Sequence, residues 1–365
     1  MVVDESAVVR GLLTRALEAD DAISVVATVA TCEAALRTLD RKDIEIIVLD
    51  FEMPELDGMT ALPPLLAAKP GAQVIMTSTP TRRNAEVSLR ALSMGAADCL
   101  TRPASPSEIL SAAAFQRELH DKIKAVAEAG RRGRVDVPAA ARPAAATRAP
   151  VPAVSGRAAA NTTITLRTAP VQRPEVIAIG SSTGGPQALL QIIGELGADV
   201  TQPILITQHM PADFTALLAE HVARASGRPC HEARDGEAIL PGRIYVAPGD
   251  RHMVVETGHE ANVIRLTQDA PENFCRPAVD PMLRSMAPVY GARLLVVVLT
   301  GMGVDGRNGC EAVTAAGGSV IAQDEATSVV WGMPGAVATA GLCSAVLPLA
   351  EIAPYVRKLA LRSAA

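Results

Sequence analysis

A serine, a histidine and an aspartate each follow an apolar segment in the second half of this 365-residue chain: Ser182, His209 and Asp305. If those segments are neighbouring strands of one parallel sheet, about 4.8 Å apart, the side chains meet at the carboxyl edge of the sheet. The set then permits acyl transfer, in which Ser182 attacks a carbonyl carbon, His209 carries the proton and Asp305 orients the imidazole. The backbone N–H groups of Thr183 and Met302 would supply the oxyanion hole.

Each of these residues also has a structural interpretation, because Ser182 and Asp305 suit helix N-caps and His209 suits a hydrogen-bonded loop position. Taken one at a time, the structural and catalytic interpretations are equally favoured. The chain order Ser, His, Asp argues against an α/β-hydrolase, in which the acidic residue precedes the histidine. A nucleotide site is disfavoured, because the turn after Gly180 has Pro186-Gln187 where a P-loop needs Lys followed by Ser or Thr.

Polar residues also follow apolar segments in the first third of the chain: Asp4-Glu5, Asp50, Ser78 and Arg102. Carboxylates that converge at one sheet edge repel one another, which raises their pKa values unless a hard divalent cation lies between them. Asp4, Glu5 and Asp50 therefore predict an oxygen-ligated Mg²⁺ site, with Asp50 as a phosphoryl acceptor beside the metal. The alternative is that these residues are only helix N-caps and turn residues.

Apolar runs alternate with amphipathic stretches in both halves of the chain, which predicts βα repeats. The first half has predicted strands at residues 2–3, 25–29, 44–49, 74–76 and 99–100, and predicted helices at 5–18, 32–39, 59–68, 84–94 and 106–129. The second half has predicted strands at 176–179, 204–207, 243–246, 263–266, 294–299, 319–322 and 345–347, and predicted helices at 186–196, 212–225, 281–289, 306–316 and 349–361. Apolar strands separated by helices predict an α/β fold class with two doubly wound parallel-sheet domains.

A linker is predicted between them, because residues 131–173 hold five Pro, eight Arg and a single acidic residue, Asp136. Too few large apolar side chains occur there to offset the entropy of ordering, although residues 162–166 allow a short strand.

The composition excludes several function classes. Lys and Arg number 34 against 39 Asp and Glu, which gives no electrostatic reason to expect nucleic acid as a partner. No apolar run approaches the 18 or more residues of a spanning helix and no leader pattern is present, so we expect a cytoplasmic chain without direct membrane insertion. The six Cys residues lack a Cys-x-x-Cys pair, which favours free thiols over a metal cluster.

The segment 50–58, DFEMPELDG, resembles the phosphoacceptor loop of response-regulator receiver domains, and Asp4-Glu5 resembles their acidic pair. The resemblance implies a flavodoxin-like receiver over residues 1–120, phosphorylated at Asp50, with Mg²⁺ held by Asp4, Glu5 and Asp50. It also implies that Ser78 is the switch hydroxyl. Receivers usually have Lys where Arg102 stands, and a planar guanidinium differs from a point charge in how it meets a phosphoryl group.

Five segments of the second half resemble the CheB methylesterases of chemotaxis: IGSSTGG at 179–185, TQHMP at 207–211, APGDRHM at 247–253, LTGMGVDG at 299–306 and GMP at 332–334. The resemblance implies a Rossmann-like three-layer catalytic domain over residues 174–365, joined to the receiver by a flexible linker at 121–173. It implies the triad Ser182, His209 and Asp305, and substrate-side roles for Arg276, Trp331 and Met333. His252 lies in a matching motif but is interpreted as structural.

The expected function is hydrolysis of glutamate methyl esters on chemoreceptors to glutamate and methanol, with deamidation of receptor glutamines as a second activity. The resemblance implies chemoreceptor cytoplasmic helices as substrate, a chemotaxis histidine kinase as phosphodonor, and Mg²⁺ in the receiver but no cofactor for the esterase. We expect the receiver to cover the catalytic edge until Asp50 is phosphorylated. This sequence departs from the family pattern at Val304, Cys275 and Trp331, beside the site.

Three other functions stay open at this point. The chain would be a phosphorylation-dependent binding protein if catalysis were lost, or an esterase of a sensory pathway other than chemotaxis. It would be a DNA-binding regulator if a helix-turn-helix with a basic face followed the linker, but no such pattern is found.

Overall fold

The computed structural model describes residues 1–53, 58–135, 164–168 and 172–362. Its helices and strands form two α/β units, one on each side of the predicted linker. Residues 54–57 of the predicted phosphoacceptor loop and most of the predicted linker lie outside the described residues.

The amino-terminal unit alternates strands and helices in the predicted order. Its elements are β1 Val2–Val3, α1 Ala7–Leu17, β2 Thr28–Val29, α2 Cys32–Leu39, β3 Ile46–Asp50, α3 Gly58–Ala68, β4 Gln73–Ser78, α4 Arg82–Ser93, β5 Asp98–Thr101 and α5 Ala113–Val135. The strands form a parallel sheet in the order β2-β1-β3-β4-β5, which is the flavodoxin-like order. The carboxyl ends of β1, β3, β4 and β5 therefore share one edge.

Local sequence explains where these helices begin. The hydroxyls of Ser6, Thr31 and Thr81 each accept a hydrogen bond from a backbone N–H in the first turn of α1, α2 and α4. Buried clusters on both faces of the sheet hold the helices in place, with Leu62 on one face and Leu119 on the other.

Two local predictions for this unit were wrong. The helix predicted at 106–129 is divided into a 3-10 turn, Pro106–Leu110, and α5, because the side-chain amide of Gln116 donates to the carbonyls of Ile109 and Leu110 at the junction. The strand predicted at 25–29 pairs only at Thr28–Val29, since β1 offers it only two partners. Helix α5 also continues to Val135, so residues 121–135 of the predicted linker are helical.

The carboxyl-terminal unit is larger. Its elements are β6 Val176–Ser181, α6 Gly185–Glu195, β7 Ile204–Gln208, α7 Ala212–Ser226, β8 Cys230–Glu232, β9 Ile244–Val246, β10 His252–Glu256, β11 Val263–Thr267, α8 Val279–Tyr290, β12 Leu294–Val298, α9 Arg307–Ala315, β13 Ser319–Gln323, α10 Met333–Thr339, β14 Ala345–Leu347 and α11 Leu349–Ala360. Seven strands form a parallel sheet in the order β14-β13-β12-β6-β7-β9-β8.

Helices cover both faces of this sheet. One core packs α8, α9 and α10 against the sheet through side chains such as Met282 and Val313, and the other packs α6, α7 and α11 through side chains such as Leu189 and Val356. The predicted fold class, two doubly wound parallel-sheet units with the second in three layers, is confirmed. Strands β6, β7 and β12 lie side by side at its centre, so their carboxyl ends meet.

The predictions for this unit missed three short elements and misplaced one. The strand predicted at 263–266 is not in the parallel sheet, because β11 pairs antiparallel with β10, which was not predicted. Strand β8, with the sequence Cys-His-Glu, and helix α10, seven residues long, carry too little apolar periodicity to be recognised. Residues 164–168 form no strand, but the N–H of Arg167 donates to the carbonyl of Cys343, 2.8 Å away.

Candidate active site

Ser182 lies in the tight turn between β6 and α6 and is 9% exposed. The turn needs glycine at 184, where φ is +75° and a Cβ would lie 2.6 Å from the side chain of Val329. The side chain of Gln208, at the end of β7, holds the turn through two hydrogen bonds. Its Oε1 accepts from Ser181 Oγ at 2.6 Å, and its Nε2 donates to the carbonyl of Ser182 at 2.9 Å. The sequence analysis did not assign this role to Gln208, although it adjoins His209 in a quoted motif.

His209 follows β7 and brings its ring between two partners. Its Nε2 lies 2.7 Å from Asp305 Oδ2, and its Nδ1 lies 3.3 Å from the sulfur of Cys275. Burial lowers the pKa of His209, but the hydrogen bonds to Asp305 and Cys275 outweigh burial and raise this pKa to about 10. Within the part of the chain that the structure describes, no hydrogen bond joins Ser182 Oγ to His209, so Nδ1 is occupied by the thiol in this conformation.

Asp305 accepts hydrogen bonds well beyond its contact with His209. Backbone N–H groups of Val279, Asp280 and Gly306 donate to its carboxylate at 2.6, 3.1 and 3.0 Å, and Asn273 Nδ2 donates at 3.0 Å. Burial raises the pKa of Asp305, but the hydrogen bonds from His209 and the backbone outweigh it and lower the pKa below its usual value. The carboxylate is thus held ionised and fixed in orientation.

The helix that Asp305 caps is not the one that follows it in sequence. Val279 and Asp280 form the first turn of α8, whereas α9 begins two residues after Asp305. Asp280 Oδ1 in turn accepts from the N–H of Gly309 in α9 at 2.6 Å, so each helix is capped by a carboxylate that precedes or begins the other. Asn273 and Asp280 are functional neighbours that the sequence analysis missed.

The candidate oxyanion groups lie on both sides of Ser182. The N–H of Ser182 donates to Thr300 O at 3.1 Å, and a Cβ on Gly301 would lie 2.9 Å from Cβ of Ser182, so residues 300 and 301, which precede Met302, pass directly beside the serine. Among the described residues, the amide N–H groups of Thr183 and Met302 donate no hydrogen bond. Two free donors next to a hydroxyl suit a developing oxyanion.

The residues with implied substrate-side roles are engaged elsewhere in this conformation. Arg276 donates to Asp250 Oδ1 and to the carbonyls of Gln268 and Asp269. Trp331 Nε1 donates to Gln323 O at 3.0 Å, and Met333 is fully buried. These side chains shape the surrounding loops.

His252 has an ordinary structural explanation. Its Nδ1 accepts from the N–H of Ala278 at 3.2 Å, and its Nε2 lies 3.1 Å from the carbonyl of Ala270. A single neutral tautomer satisfies both contacts and holds the start of α8 in place.

The second polar edge, in the amino-terminal unit, contains two buried carboxyls. Asp4 Oδ2 and Asp50 Oδ1 are buried without a hydrogen-bond partner, and Arg102 Nη2 lies 3.5 Å from Asp50 Oδ1. Burial raises the pKa of Asp50 to about 6, and burial also raises that of Asp4. Two unpaired carboxylate oxygens at one edge fit a hard divalent cation.

Glu5 is not part of this arrangement. Its side chain is exposed, and the described residues contain no group of three His, Cys, Asp or Glu side chains placed to hold a metal ion. Ser78 lies buried at the end of β4, where its carbonyl accepts from the N–H of Arg102 at 2.9 Å. Arg102 Nη2 also lies 3.4 Å from Glu52 Oε2, so two carboxylates share its charge.

The amino-terminal unit packs against the edge that carries Ser182. Asp98 Oδ2 of β5 accepts from the hydroxyl of Thr183 at 2.6 Å and lies 3.2 Å from Lys122 Nζ. Gln187 of α6 donates to the carbonyls of Leu92 and Ala96. Phe214 and Leu217 of α7 are buried in the apolar cluster of the amino-terminal unit, and Val330 is buried in its second cluster. Access to the catalytic edge is therefore restricted in this conformation.

Comparison with known proteins bears on both units. Residues 177–356 match the family model described as CheB methylesterase, and residues 1–114 match that of the response regulator receiver domain. A protein-glutamate methylesterase/protein-glutamine glutaminase of group 2 operon from Rhodospirillum centenum is 57% identical over 100% of this chain and 94% of its own length. The chain belongs to the CheB methylesterase family.

Two further relatives agree. A protein-glutamate methylesterase/protein-glutamine glutaminase from Azospirillum brasilense is 56% identical over 100% of this chain and 93% of its own length. The crystal structure of the Thermotoga maritima CheB methylesterase catalytic domain is 40% identical, with a TM-score of 0.50, and covers 51% of this chain and 98% of its own. The resemblance to CheB methylesterases and receivers is thus confirmed. None of the helices in the described ranges is long and apolar enough to cross a membrane.

Proposed function

We propose that this chain is a phosphorylation-regulated serine esterase that hydrolyses glutamate methyl esters on chemoreceptors and deamidates receptor glutamines. The observation that carries the proposal is the carboxyl edge of β6, β7 and β12, where Ser182 lies beside two free N–H groups and His209 is bonded to an ionised Asp305. The relatives named for the same two activities match this chain from end to end. Residues 1–120 would form the receiver and 174–365 the esterase, joined by residues 121–173.

In the proposed mechanism, Ser182 Oγ attacks the ester carbonyl carbon and its proton passes to Nδ1 of His209, the ring nitrogen that Asp305 does not bind. The N–H groups of Thr183 and Met302 donate to the oxyanion. His209 then protonates the methoxide oxygen as its bond to carbon breaks, which releases methanol, and water hydrolyses the acyl-serine by the reverse sequence of proton transfers. An amide substrate follows the same course with ammonia as the leaving group.

The described conformation is a resting state for this chemistry. Cys275 occupies Nδ1 of His209, and the raised pKa keeps the imidazole in its protonated form at neutral pH. Catalysis therefore requires His209 to lose this proton and its ring to exchange the thiol for the hydroxyl of Ser182. Catalytic hydrogen bonds often form only once substrate is bound.

The switch would act through Asp50. Asp4 and Asp50 would hold Mg²⁺, which would offset the negative charge of these carboxylates and of the incoming phosphoryl group. Arg102 and the Ser78 hydroxyl would respond to the new phosphoryl charge, and Arg102 directly follows β5, the strand that carries Asp98. The implied partners are a chemotaxis histidine kinase and the cytoplasmic helices of chemoreceptors, and we expect no nucleic acid and no membrane insertion for this cytoplasmic enzyme.

The decisive test is methanol release from a methylated receptor cytoplasmic fragment, with and without acetyl phosphate and Mg²⁺. We expect turnover that disappears in Ser182→Ala and is unchanged in Ser226→Ala, a serine at the far end of α7. Asp50→Ala should keep basal turnover and lose the rise with acetyl phosphate. Release at the wild-type rate from Ser182→Ala would reject the catalytic assignment.

A further inference from the structure

One aromatic side chain stands out at the rim of the catalytic edge. Phe274 is 82% exposed, more than any other large hydrophobic residue in the described ranges. The chain has only four Phe residues, and of the others Phe115 and Phe214 are buried and Phe51 is partly buried. Contact between a whole aromatic ring and water is unfavourable, so burial of this ring by a partner would be favourable.

The backbone at Phe274 and its preceding residue has an uncommon conformation. Asn273 and Phe274 have φ of +51° and +63°, two of the three non-glycine residues with positive φ that the described residues contain. This region is costly for a bulky residue, and such strain persists where surrounding contacts impose it, commonly at functional sites. The neighbours of Phe274 supply those contacts.

Both neighbours touch the catalytic groups. Asn273 Nδ2 donates to Asp305 Oδ1 at 3.0 Å, and the sulfur of Cys275 lies 3.3 Å from Nδ1 of His209. Val304 directly precedes Asp305, the residue that Asn273 contacts, and is 54% exposed. Phe274 and Val304 thus form two exposed apolar points on loops that are joined at the triad, which we call the apolar rim.

The receiver already uses this rim. The guanidinium carbon of Arg117, in α5, lies 4.5 Å from the centroid of the Phe274 ring, a cation–π contact. The ring stays largely exposed beneath it, so this contact does not bury the aromatic surface. The aromatic surface is therefore available to an apolar partner.

We infer that the apolar rim binds the receptor helix itself, by taking apolar side chains that lie one turn from the methylated glutamate. The inference rests on the proposed function and extends it, because it assigns substrate recognition to residues outside the triad. On a helix, side chains three and four positions from the ester share its face, so a helix presenting its ester to Ser182 also presents those side chains to the rim. An exposed aromatic ring is a common anchor of such interfaces.

The test compares two substrates in the full-length chain with acetyl phosphate and Mg²⁺ present. One is the methylated receptor fragment, and the other is N-acetylglutamate γ-methyl ester, which has no helix. For Phe274→Ala we expect kcat/KM on the fragment to fall about tenfold through KM, with small-ester turnover within about twofold of wild type. Phe274→Leu should recover most of the loss, because it restores an apolar side chain on the same backbone.

Val304→Ser should lower kcat/KM on the fragment about threefold, since Val buries less area than Phe. Leu240→Ala is the control, because Leu240 is an exposed apolar residue that precedes β9, at the opposite edge of the sheet. Arg117→Ala removes the receiver's contact alone and should leave the fragment KM unchanged with acetyl phosphate present.

The outcomes separate this inference from the function on which it rests. A wild-type chain that releases methanol from neither ester overturns the proposed function. A wild-type chain that is active on the fragment, with Phe274→Ala equally active, overturns the rim alone. An equal loss on both esters also overturns it, since Phe274 would then act by holding Asn273 and Cys275 in place.

Discussion

The two sheet edges of this protein use buried aspartates in opposite ways. Asp305 accepts four hydrogen bonds besides that of His209, and its pKa is lowered. Asp50 is equally buried, but one of its oxygens has no hydrogen-bond partner, and its pKa is raised to about 6. The carboxylate of Asp305 finds all its hydrogen-bond partners within the chain, whereas that of Asp50 would gain its missing partner from a cation or on phosphorylation. A catalytic edge is preorganised, and a switch edge is left unsatisfied so that modification changes it.

The largest expected effect comes from Asp305. Asp305→Asn should lower kcat for methanol release by about 10³–10⁴-fold, because the amide favours the wrong imidazole tautomer. It should also destabilise the carboxyl-terminal unit by about 2–3 kcal/mol, since the backbone N–H groups lose a charged acceptor. Steady-state kinetics and urea unfolding measure the two effects.

Asp269→Asn serves as the control for that substitution, because Asp269 is exposed in the loop before α8. Unchanged stability in Asp305→Asn would contradict the view that this carboxylate is held by the fold.

Asp50→Asn should stabilise the protein, whereas Asp305→Asn should destabilise it. The pKa of Asp50 rises from 3.8 to about 6 on folding, so the folded state binds the proton more tightly and stability falls as pH rises across that window. Without Mg²⁺ at pH 7, the neutral amide should therefore stabilise the receiver by about 1–3 kcal/mol. Urea unfolding in EDTA measures the difference.

Adding Mg²⁺ provides the control within the same experiment. Wild type should be stabilised by Mg²⁺ and Asp50→Asn should not, because only the wild type offers both carboxylates. Destabilisation by Asp50→Asn in EDTA would show that the Asp50 carboxylate, like that of Asp305, is stabilised by partners within the chain.

The contact that joins the two edges should have a smaller effect. Asp98→Asn weakens the buried hydrogen bond from Thr183 and the partly buried ion pair with Lys122. We expect basal methanol release without acetyl phosphate to rise about tenfold, the value of one charge-assisted hydrogen bond. Arg82→Ala removes the exposed pair between Arg82 and Glu220 and should change basal release less than twofold, or roughly 0.4 kcal/mol. Equal rates in both variants would mean that the contacts of Asp98 with Thr183 and Lys122 do not restrain the esterase.

Cys275 should have the smallest effect, on the pH profile. The hydrogen bond to Cys275 helps to raise the pKa of His209 to about 10, so Cys275→Ala should lower that pKa toward 6.5. Because the neutral imidazole is the base, the alkaline rise in kcat/KM should move to lower pH by about one unit. Cys230→Ala, at a thiol in β8, is the control, and an unshifted profile would indicate that the thiol does not bear on the base.

Much of this molecule could be predicted from local patterns. Apolar runs such as residues 46–49 and Leu294–Val298 mark parallel strands, and Thr31 marks the start of α2. The residues at the strand ends, Ser182, His209 and Asp50 among them, were found because parallel strands end at a common edge. The predictions failed where the pattern is short or irregular, as at β8, or where one side chain interrupts a helix, as Gln116 does before α5.

The sequence by itself determined the parallel architecture, the catalytic candidates and the family, because periodicity and motifs are properties of neighbouring residues. Only the tertiary structure decided that Asp305 caps α8 and that the thiol of Cys275 contacts Nδ1 of His209. It also decided that Asp98 lies against Thr183, 85 residues away in the chain. These contacts join residues far apart in sequence, and their geometry depends on how whole helices and sheets pack. No local pattern encodes that packing, although it sets which hydrogen bonds form and hence which charges are held at the site.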